Sequence, residues 1–352
     1  MNDIPEPDRL GDAPHPRMTE QLFGQEAAEA AFLDAWTTGR LHHGWLLTGP
    51  RGVGKATLAW RIARFLLTDP AAGADTLDPP AGHPALPRIR ALSEPGLMLL
   101  RRPWDDKAKK LKTQITVDEV RRLGGFFGMS SGGRRVVIVD PADDLNPSAA
   151  NAILKLLEEP PAAATLLLIS HQPARLLPTI RSRCRVLRLG PLSPDALRAA
   201  VVQAGGHEAA AAPLAEGSVG AALELAEGGS DIYEALIDLF ARPTLDRARA
   251  RALADACAGK AGSARLDATI GALARLLHRA ARAGLIGPPA DAPDAEVAAL
   301  TRLAPHDAAA RAWAKLAQEV GDRIGHARAV NVDPAAIVWD ALARIDDQAR
   351  RI

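Results

Sequence analysis

Apolar residues fall along this chain in two rhythms, and the change between them divides it. Over roughly the first 190 positions, short apolar runs alternate with stretches of helical spacing. His43–Thr48 (HGWLLT), Leu97–Leu100, Arg135–Asp140 (RVVIVD), Thr165–Ser170 (TLLLIS) and Arg185–Leu189 (RVLRL) read as strands. Between them, Lys55–Leu67 reads as a helix. Val117–Phe127 does too, with Val117, Val120, Leu123 and Phe127 on one face and Asp118 and Glu119 suited to the first turn. Pro147–Glu158 opens on a proline and is followed by Pro160-Pro161, the usual punctuation of a helix. Strands separated by helices of this length predict an α/β fold, a mostly parallel sheet with helices on both faces. The stretch 69–96, crowded with Pro, Gly and Ala, predicts an irregular insertion.

From Pro191 onward the sequence is alanine-rich and helical, with no convincing strand. Breaks fall at Gly228-Gly229, at Pro243 and over 288–293. The expected organisation is a flexible arm over 1–20, an α/β domain over 21–190, a small helical domain over 191–230, and an all-α domain over 231–352. The polar, proline-rich start (MNDIPEPDRLGDAPHPR) does not read as a secretory signal.

Composition narrows the function classes. No apolar stretch is long enough to span a bilayer. The two cysteines, Cys184 and Cys257, are far apart and form neither a disulfide framework nor a paired zinc motif, so a reducing cytoplasm is the expected setting. The net charge is +1, from 43 basic and 42 acidic residues. A protein that binds DNA tightly by itself normally carries a basic excess. The balance here argues against that role, though not against a subunit that lends a few contacts.

The strongest chemical signal is Gly49-Pro50-Arg51-Gly52-Val53-Gly54-Lys55, between the first strand and its helix. In that context the amides of a glycine-rich turn and the helix N-terminus face a phosphate, and Lys55 can reach the terminal phosphates. The motif is incomplete. A Ser or Thr hydroxyl that would ligate Mg²⁺ is replaced by Ala56, and Thr57 lies about 100° further round the helix. The second element is the strand ending in Asp140, an acid that would orient Mg²⁺. The acid expected next, which would polarise the attacking water, is instead Pro141. Asp143 and Asp144 nearby read as loop charges or caps for the helix at Pro147. Two catalytic parts are thus missing together.

Several segments resemble bacterial clamp-loader ATPases of the AAA+ class. Asn151–Pro161 (NAILKLLEEPP) is similar to that family's NALLKTLEEPP run. Leu176–Cys184 (LLPTIRSRC) matches its LPTIRSRC segment, and Ile115–Arg121 (ITVDEVR) resembles a run typical of the delta-prime branch. The resemblance spans about 21–190 and implies an AAA+ P-loop domain followed by helical lid and collar domains. It implies that Arg183 is an arginine finger acting in the ATP site of a neighbouring subunit, a role suited to a planar, always-charged guanidinium. Read alone, Arg183 is better taken as a local salt bridge at a strand edge. Glu158 and Glu159 alone read as an exposed helix end, and in the family context as braces of the subunit interface. Cys184 reads as a small buried hydrophobe.

Gly217–Leu223 (GSVGAAL) resembles the lid segment where motor subunits carry a nucleotide-sensing arginine, and Gly220 holds that place. The four-cysteine zinc module of many relatives has no counterpart in 69–96, so no zinc is expected. The resemblance implies a stator-like, non-hydrolysing subunit of the DNA polymerase III clamp loader. Its partners are motor subunits and the delta subunit in a hetero-pentamer and, transiently, the sliding clamp and primer-template DNA, with no membrane. Its degenerate pocket (Gly49, Gly52, Gly54, Lys55, Thr57, Asp140) is left with weakly bound ATP, ADP or phosphate as its only cofactor. Three alternatives stay open: an active motor subunit of the same loader, a P-loop phosphotransferase acting on a small molecule, and an adaptor relative unconnected with replication.

Overall fold

The computed structural model describes residues 5–128, 133–207, 212–259 and 262–352. They form two compact units. An α/β unit takes residues up to 209 together with 216–220, and a helical unit takes 210–215 and 221–352. In this division 191–209 and 216–220 pack with the α/β unit. The reason is hydrogen bonding. Leu192 N donates to Gly217 O at 2.9 Å and Val219 N donates to Gly52 O at 2.9 Å, stapling 216–220 onto the glycine turn.

The sheet has five parallel strands: β1 (Gly44–Thr48), β2 (Leu97–Leu100), β3 (Arg135–Val139), β4 (Ala164–Ser170) and β5 (Arg185–Arg188). Their order is β2-β3-β4-β1-β5, and the expected α/β architecture is borne out. Registers pair Trp45 with Leu167 and with Arg185, and Ile138 with Leu167. Every residue of β1, β3 and β4 is buried, because helices cover both faces. One face carries Trp45, Leu47, Val136, Ile138, Leu167 and Ile169 into a core shared with α1 (Glu26–Thr37) and α2 (Lys55–Leu67). The alternate residues, among them Leu46, Val137 and Leu168, meet α4 (Val117–Gly128) and α5 (Pro147–Glu158) on the other. Asn146 caps α5, its Oδ1 accepting from Ala149 N at 2.8 Å.

Three local expectations are corrected. The stretch 69–96 is not wholly irregular: Leu77 is buried, and α3 (Ala85–Arg90) seats Ala85 and Ile89 in the core beside α2. A small hairpin, missed from sequence, follows β2, pairing Trp104–Asp105 with Lys110–Leu111. The proline-rich start is not a loose arm, although residues 1–4 lie outside the described residues. Two buried arginines of α2 clip it down. Arg64 donates to the carbonyls of Arg17 at 3.1 Å and Thr19 at 2.8 Å, and Arg61 donates to that of Glu20. Burial and the neighbouring Arg61 and Arg90 push the Arg64 guanidinium down to about 10. Arg17 reaches Glu6, and Arg101 at the end of β2 pairs with both Glu6 and Asp8.

After α6 (Pro178–Ser182) and α7 (Pro194–Gln203), the helical unit consists mainly of α8 (Ser230–Ala241), α9 (Arg247–Asp255), α10 (Ser263–Ile286), α11 (Asp294–Leu303), α12 (Asp307–Ala329) and α13 (Pro334–Ala349). Its breaks fall at a kink with Gly228 at φ 100° and between α10 and α11. Tyr233, Leu236, Leu276, Leu300, Trp313 and Leu342 form its core. Inside it, Glu296 accepts from Tyr233 and pairs with Arg279, each of the three being 3% exposed or less. Among the described residues no helix is long and apolar enough to cross a membrane.

Candidate functional site

A parallel α/β sheet presents its ligand crevice at the carboxyl ends of the strands, where the connections diverge. Here β1 runs into the glycine turn at that edge, and α2 begins at Lys55 immediately after Gly54, which takes φ 99°. Backbone approach dictates the glycines. A methyl group added to Gly52 (φ 74°) would sit 2.6 Å from Gly220 N, and one on Gly49 would collide with the Leu189 carbonyl. Gly220 thus rests directly on the turn, at the place resembling the nucleotide-sensing position. Ser218 Oγ adds a hydrogen bond to Arg51 O at 2.9 Å.

Lys55 is 3% exposed. Its ammonium donates to Gly49 O at 2.7 Å and to Pro50 O, carbonyls of its own loop. Burial drives it down to about 8, opposed by the charges of Asp140 and Asp143. Asp140, 5% exposed at the end of β3, moves the other way. Burial and then the Asp8 carboxylate push it up to about 7, with Lys55 opposing. The bond from Asp140 to Pro141 is cis.

Asp8 is a site residue that sequence reasoning missed. Its side chain is fully buried, with the His15 Nε2 3.0 Å away. Burial works against its ionisation, but His15 and Arg101 hold it below the ordinary carboxylate value. Leu10, two residues on, would meet a methyl group placed on Gly220. The N-terminal segment therefore passes from the end of β2 to the glycine turn. Asp143 was also misread. Its Oδ1 accepts from Ser170 Oγ at 2.8 Å and Gln172 N at 3.3 Å, and its Oδ2 accepts from His171 N at 2.6 Å. It fastens the loop after β3 to the end of β4 and is not a solvated charge. Asp144 pairs with Arg102 at 3.0 Å. No local pattern marks either pairing, because each partner lies far away in sequence.

Glycine-turn amides, a helix N-terminus and Lys55 suit a phosphate anion. They do not suit Mg²⁺, which demands near-octahedral oxygen ligands. Ala56 offers no hydroxyl, and Thr57 sits half-buried further round the first turn of α2. Asp140 is drawn towards its neutral form, and both Asp143 oxygens are engaged. Among the described residues no group of three His, Cys, Asp or Glu side chains is placed to hold a metal ion.

Arg183 is brought to the opposite edge of the sheet. It follows α6 and precedes β5, and a methyl group built on Gly44, the first residue of β1, would come within 3.3 Å of its carbonyl. Its guanidinium donates to Thr179 O at 3.2 Å and pairs with Glu158 Oε1 at 2.8 Å. The side chain is 38% exposed. The next residue, Cys184, has its thiol pushed up to about 12 by burial, which disfavours the thiolate.

Residues 24–193 match the family model described as DNA polymerase III, delta subunit. Over these residues the chain is similar to that family. A delta' subunit of DNA polymerase III from Pseudomonas aeruginosa is 44% identical over 144 residues, 40% of this chain and 41% of the relative. The delta' subunit from Escherichia coli is 34% identical over 216 residues, 55% and 57% of the two chains. A gamma/tau subunit from Mycobacterium tuberculosis is 31% identical over 186 residues, 52% of this chain and 30% of the relative. The chain spans about half the length of the delta' relatives it matches. The family residues cover the whole sheet, the glycine turn and Arg183, but stop short of the helical unit.

Proposed function

We propose that the chain is a stator-like, non-hydrolysing subunit of a DNA polymerase III clamp loader, of the delta-prime type. It offers Arg183 to the ATP of a neighbouring motor subunit and helps load the sliding clamp on primed DNA. The observation that carries this reading is the placement of Arg183. It stands level with Gly44, whereas the glycine turn begins at Gly49, so five strand residues, roughly 17 Å at the usual rise, separate it from its own phosphate cradle. A guanidinium held there serves phosphate only on another molecule. Glu158 keeps it in place meanwhile, and a half-exposed pair is worth about 0–1 kcal/mol, so its release is cheap.

The absent Mg²⁺ ligand at Ala56, the proline after Asp140 and the glycine at 220 support the same reading, and speak against a motor subunit or a phosphotransferase. No hydrolytic step is assigned to this chain's own pocket. In this reading 191–230 serves as lid and 231–352 as the collar through which the ring assembles with the motor and delta subunits.

The test is DNA- and clamp-stimulated ATP turnover by the reconstituted loader, with substitutions in this subunit alone. Arg183→Ala is expected to cut turnover at the receiving site by on the order of 10³-fold or more, as for other arginine fingers, while Lys55→Ala leaves it within about twofold. A loader crippled by Lys55→Ala and indifferent to Arg183→Ala refutes the assignment.

A further inference from the structure

The chain has only eight lysines among its 43 basic residues, and four of them, Lys107, Lys109, Lys110 and Lys112, fall within six consecutive positions. Everywhere else arginine is the basic residue of choice. The cluster sits on the hairpin that leaves the carboxyl end of β2. Trp104 lies opposite Leu111 and Asp105 opposite Lys110, and Lys112 N donates to Pro103 O at 2.9 Å. Asp105 Oδ1 fixes the turn by accepting from the amides of Lys107 at 3.0 Å and Ala108 at 2.9 Å. Lys109 takes a φ of 50° at the tip.

All four lysine side chains are exposed. Among the described residues no carboxylate comes within ion-pair distance of any of them. The two arginines that lead into the hairpin are committed inward, Arg101 to Glu6 and Asp8, and Arg102 to Asp144. The division of labour is physical. Arginine's planar fork pairs with a single carboxylate, whereas lysine's ammonium is a mobile point charge on a flexible stem. Four such charges, offset in part by Asp105 and Asp106 but outside any ion pair, and presented together by a braced turn, suit a run of repeated negative charge more than one anion. They are set into a protein whose net charge is only +1, so the field is local to this hairpin.

We propose that the 104–112 hairpin is a contact for the phosphate backbone of nucleic acid, sensing charge and not sequence. The choice of nucleic acid over an acidic polypeptide rests on the replication reading above, and the surface itself on the lysines.

The test uses the full chain and a fluorescein-labelled primer-template DNA, with binding followed by anisotropy between 50 and 200 mM salt, conditions where phosphate contacts dominate affinity. Non-specific binding in the range of about 10⁻⁴–10⁻⁶ M is expected for the wild type. The fourfold Lys→Gln variant at 107, 109, 110 and 112 should lower the steepness of log K against log salt by about 0.9 for each lysine that meets a duplex phosphate, so by about 2 to 4 in all. Lys315→Gln, on the helical unit, should leave it unchanged. Because the four side chains are exposed, melting temperature and circular dichroism should not move. An equal salt slope in the wild type and the fourfold variant overturns the proposal, as does a wild type that binds no DNA at 50 mM salt. Lysine-dependent binding of poly-glutamate that exceeds that of DNA overturns it too, in favour of an acidic protein partner. Co-purification of the fourfold variant with the motor and delta subunits reads the clamp-loader assignment separately. Assembly with an unchanged DNA slope sinks only the hairpin. Failure of wild type and variant alike to assemble sinks only the assignment.

Discussion

Asp140→Asn is expected to stabilise the α/β unit, increasingly as pH rises from 4 to 7. The Asp140 carboxyl is 5% exposed and sits at about 7, against 3.8 for an ordinary aspartate, because burial and the nearby Asp8 carboxylate both disfavour its charge. The folded protein therefore holds this proton more tightly than the unfolded chain. Between pH 4 and 7 the native state carries more protons at this site, so its contribution to stability is full below pH 4 and is lost as pH rises through 7. Three pKa units at about 1.4 kcal/mol each set a ceiling of about 4 kcal/mol. The net gain is smaller, because the Asp140 charge also supports Lys55, whose ammonium burial has already lowered to about 8. A gain of about 2 kcal/mol at pH 8 is expected, falling to about a third of that at pH 5, where the folded carboxyl is neutral but the unfolded one, with its ordinary value of 3.8, is already ionised. Native-state hydrogen exchange at the amides of β1 and β3 reads this unit separately from the helical one. Protection of those amides should rise by about 30-fold in the variant at pH 8 and by only about threefold at pH 5. Equal effects at both pH values, or a loss at pH 8, would show Asp140 to be an ionised carboxylate with a partner, and the electrostatic argument would fall.

Gly52→Ala should lower stability by roughly 1–3 kcal/mol, because it forces a side chain into φ 74° with Gly220 N 2.6 Å away; a thermal melt identical to wild type would contradict this. Arg64→Ala removes charged donors from the carbonyls of Arg17 and Thr19, worth roughly 1.5–3 kcal/mol for such a bond. Trypsin should then nick at Arg9 or Arg17 at least about tenfold faster, and an unchanged digestion rate would mean that the segment is held by something else. Glu296→Gln takes the charge from the buried Arg279 pair and should cost the helical unit roughly 3–5 kcal/mol. Amide exchange in α10 should accelerate while that in β3 does not, and parallel loss in both units would contradict their independence.

The sheet was legible because its strands are short, unbroken apolar runs that are buried on both faces; RVVIVD and TLLLIS have no other way to be satisfied. The glycine turn was legible because its chemistry is local, seven residues between a strand and a helix. What stayed hidden depends on partners distant in sequence. Asp8 reads as one charge among many in a polar leader until Arg101 and His15 close on it. Asp143 reads as a loop acid until β4 delivers the Ser170 hydroxyl and the His171 amide. Helix α3 was masked by Pro87 and the surrounding prolines, although a proline in the first helical turn breaks no hydrogen bond. The lysine hairpin did leave a signal, in the unequal use of Lys and Arg along the chain, but paired segments of two residues are too short for alternation to show.

A phosphate cradle without a Mg²⁺ site looks contradictory until each residue is matched to what it touches. Gly49 faces the Leu189 carbonyl, and Gly52 faces the backbone of 218–220, so a side chain at either position displaces this chain's own backbone, whether or not nucleotide is present. Lys55 donates to two carbonyls of the turn. Those positions are held by folding. Positions 56 and 141 are different: a hydroxyl at the first and an acid at the second are the groups that would serve a metal ion and an attacking water. They are Ala and Pro. On the proposed reading, a turn shaped by packing places β1, α2 and the lid segment in a subunit without hydrolysis of its own, and leaves Arg183 at the far edge as the group with chemistry to offer.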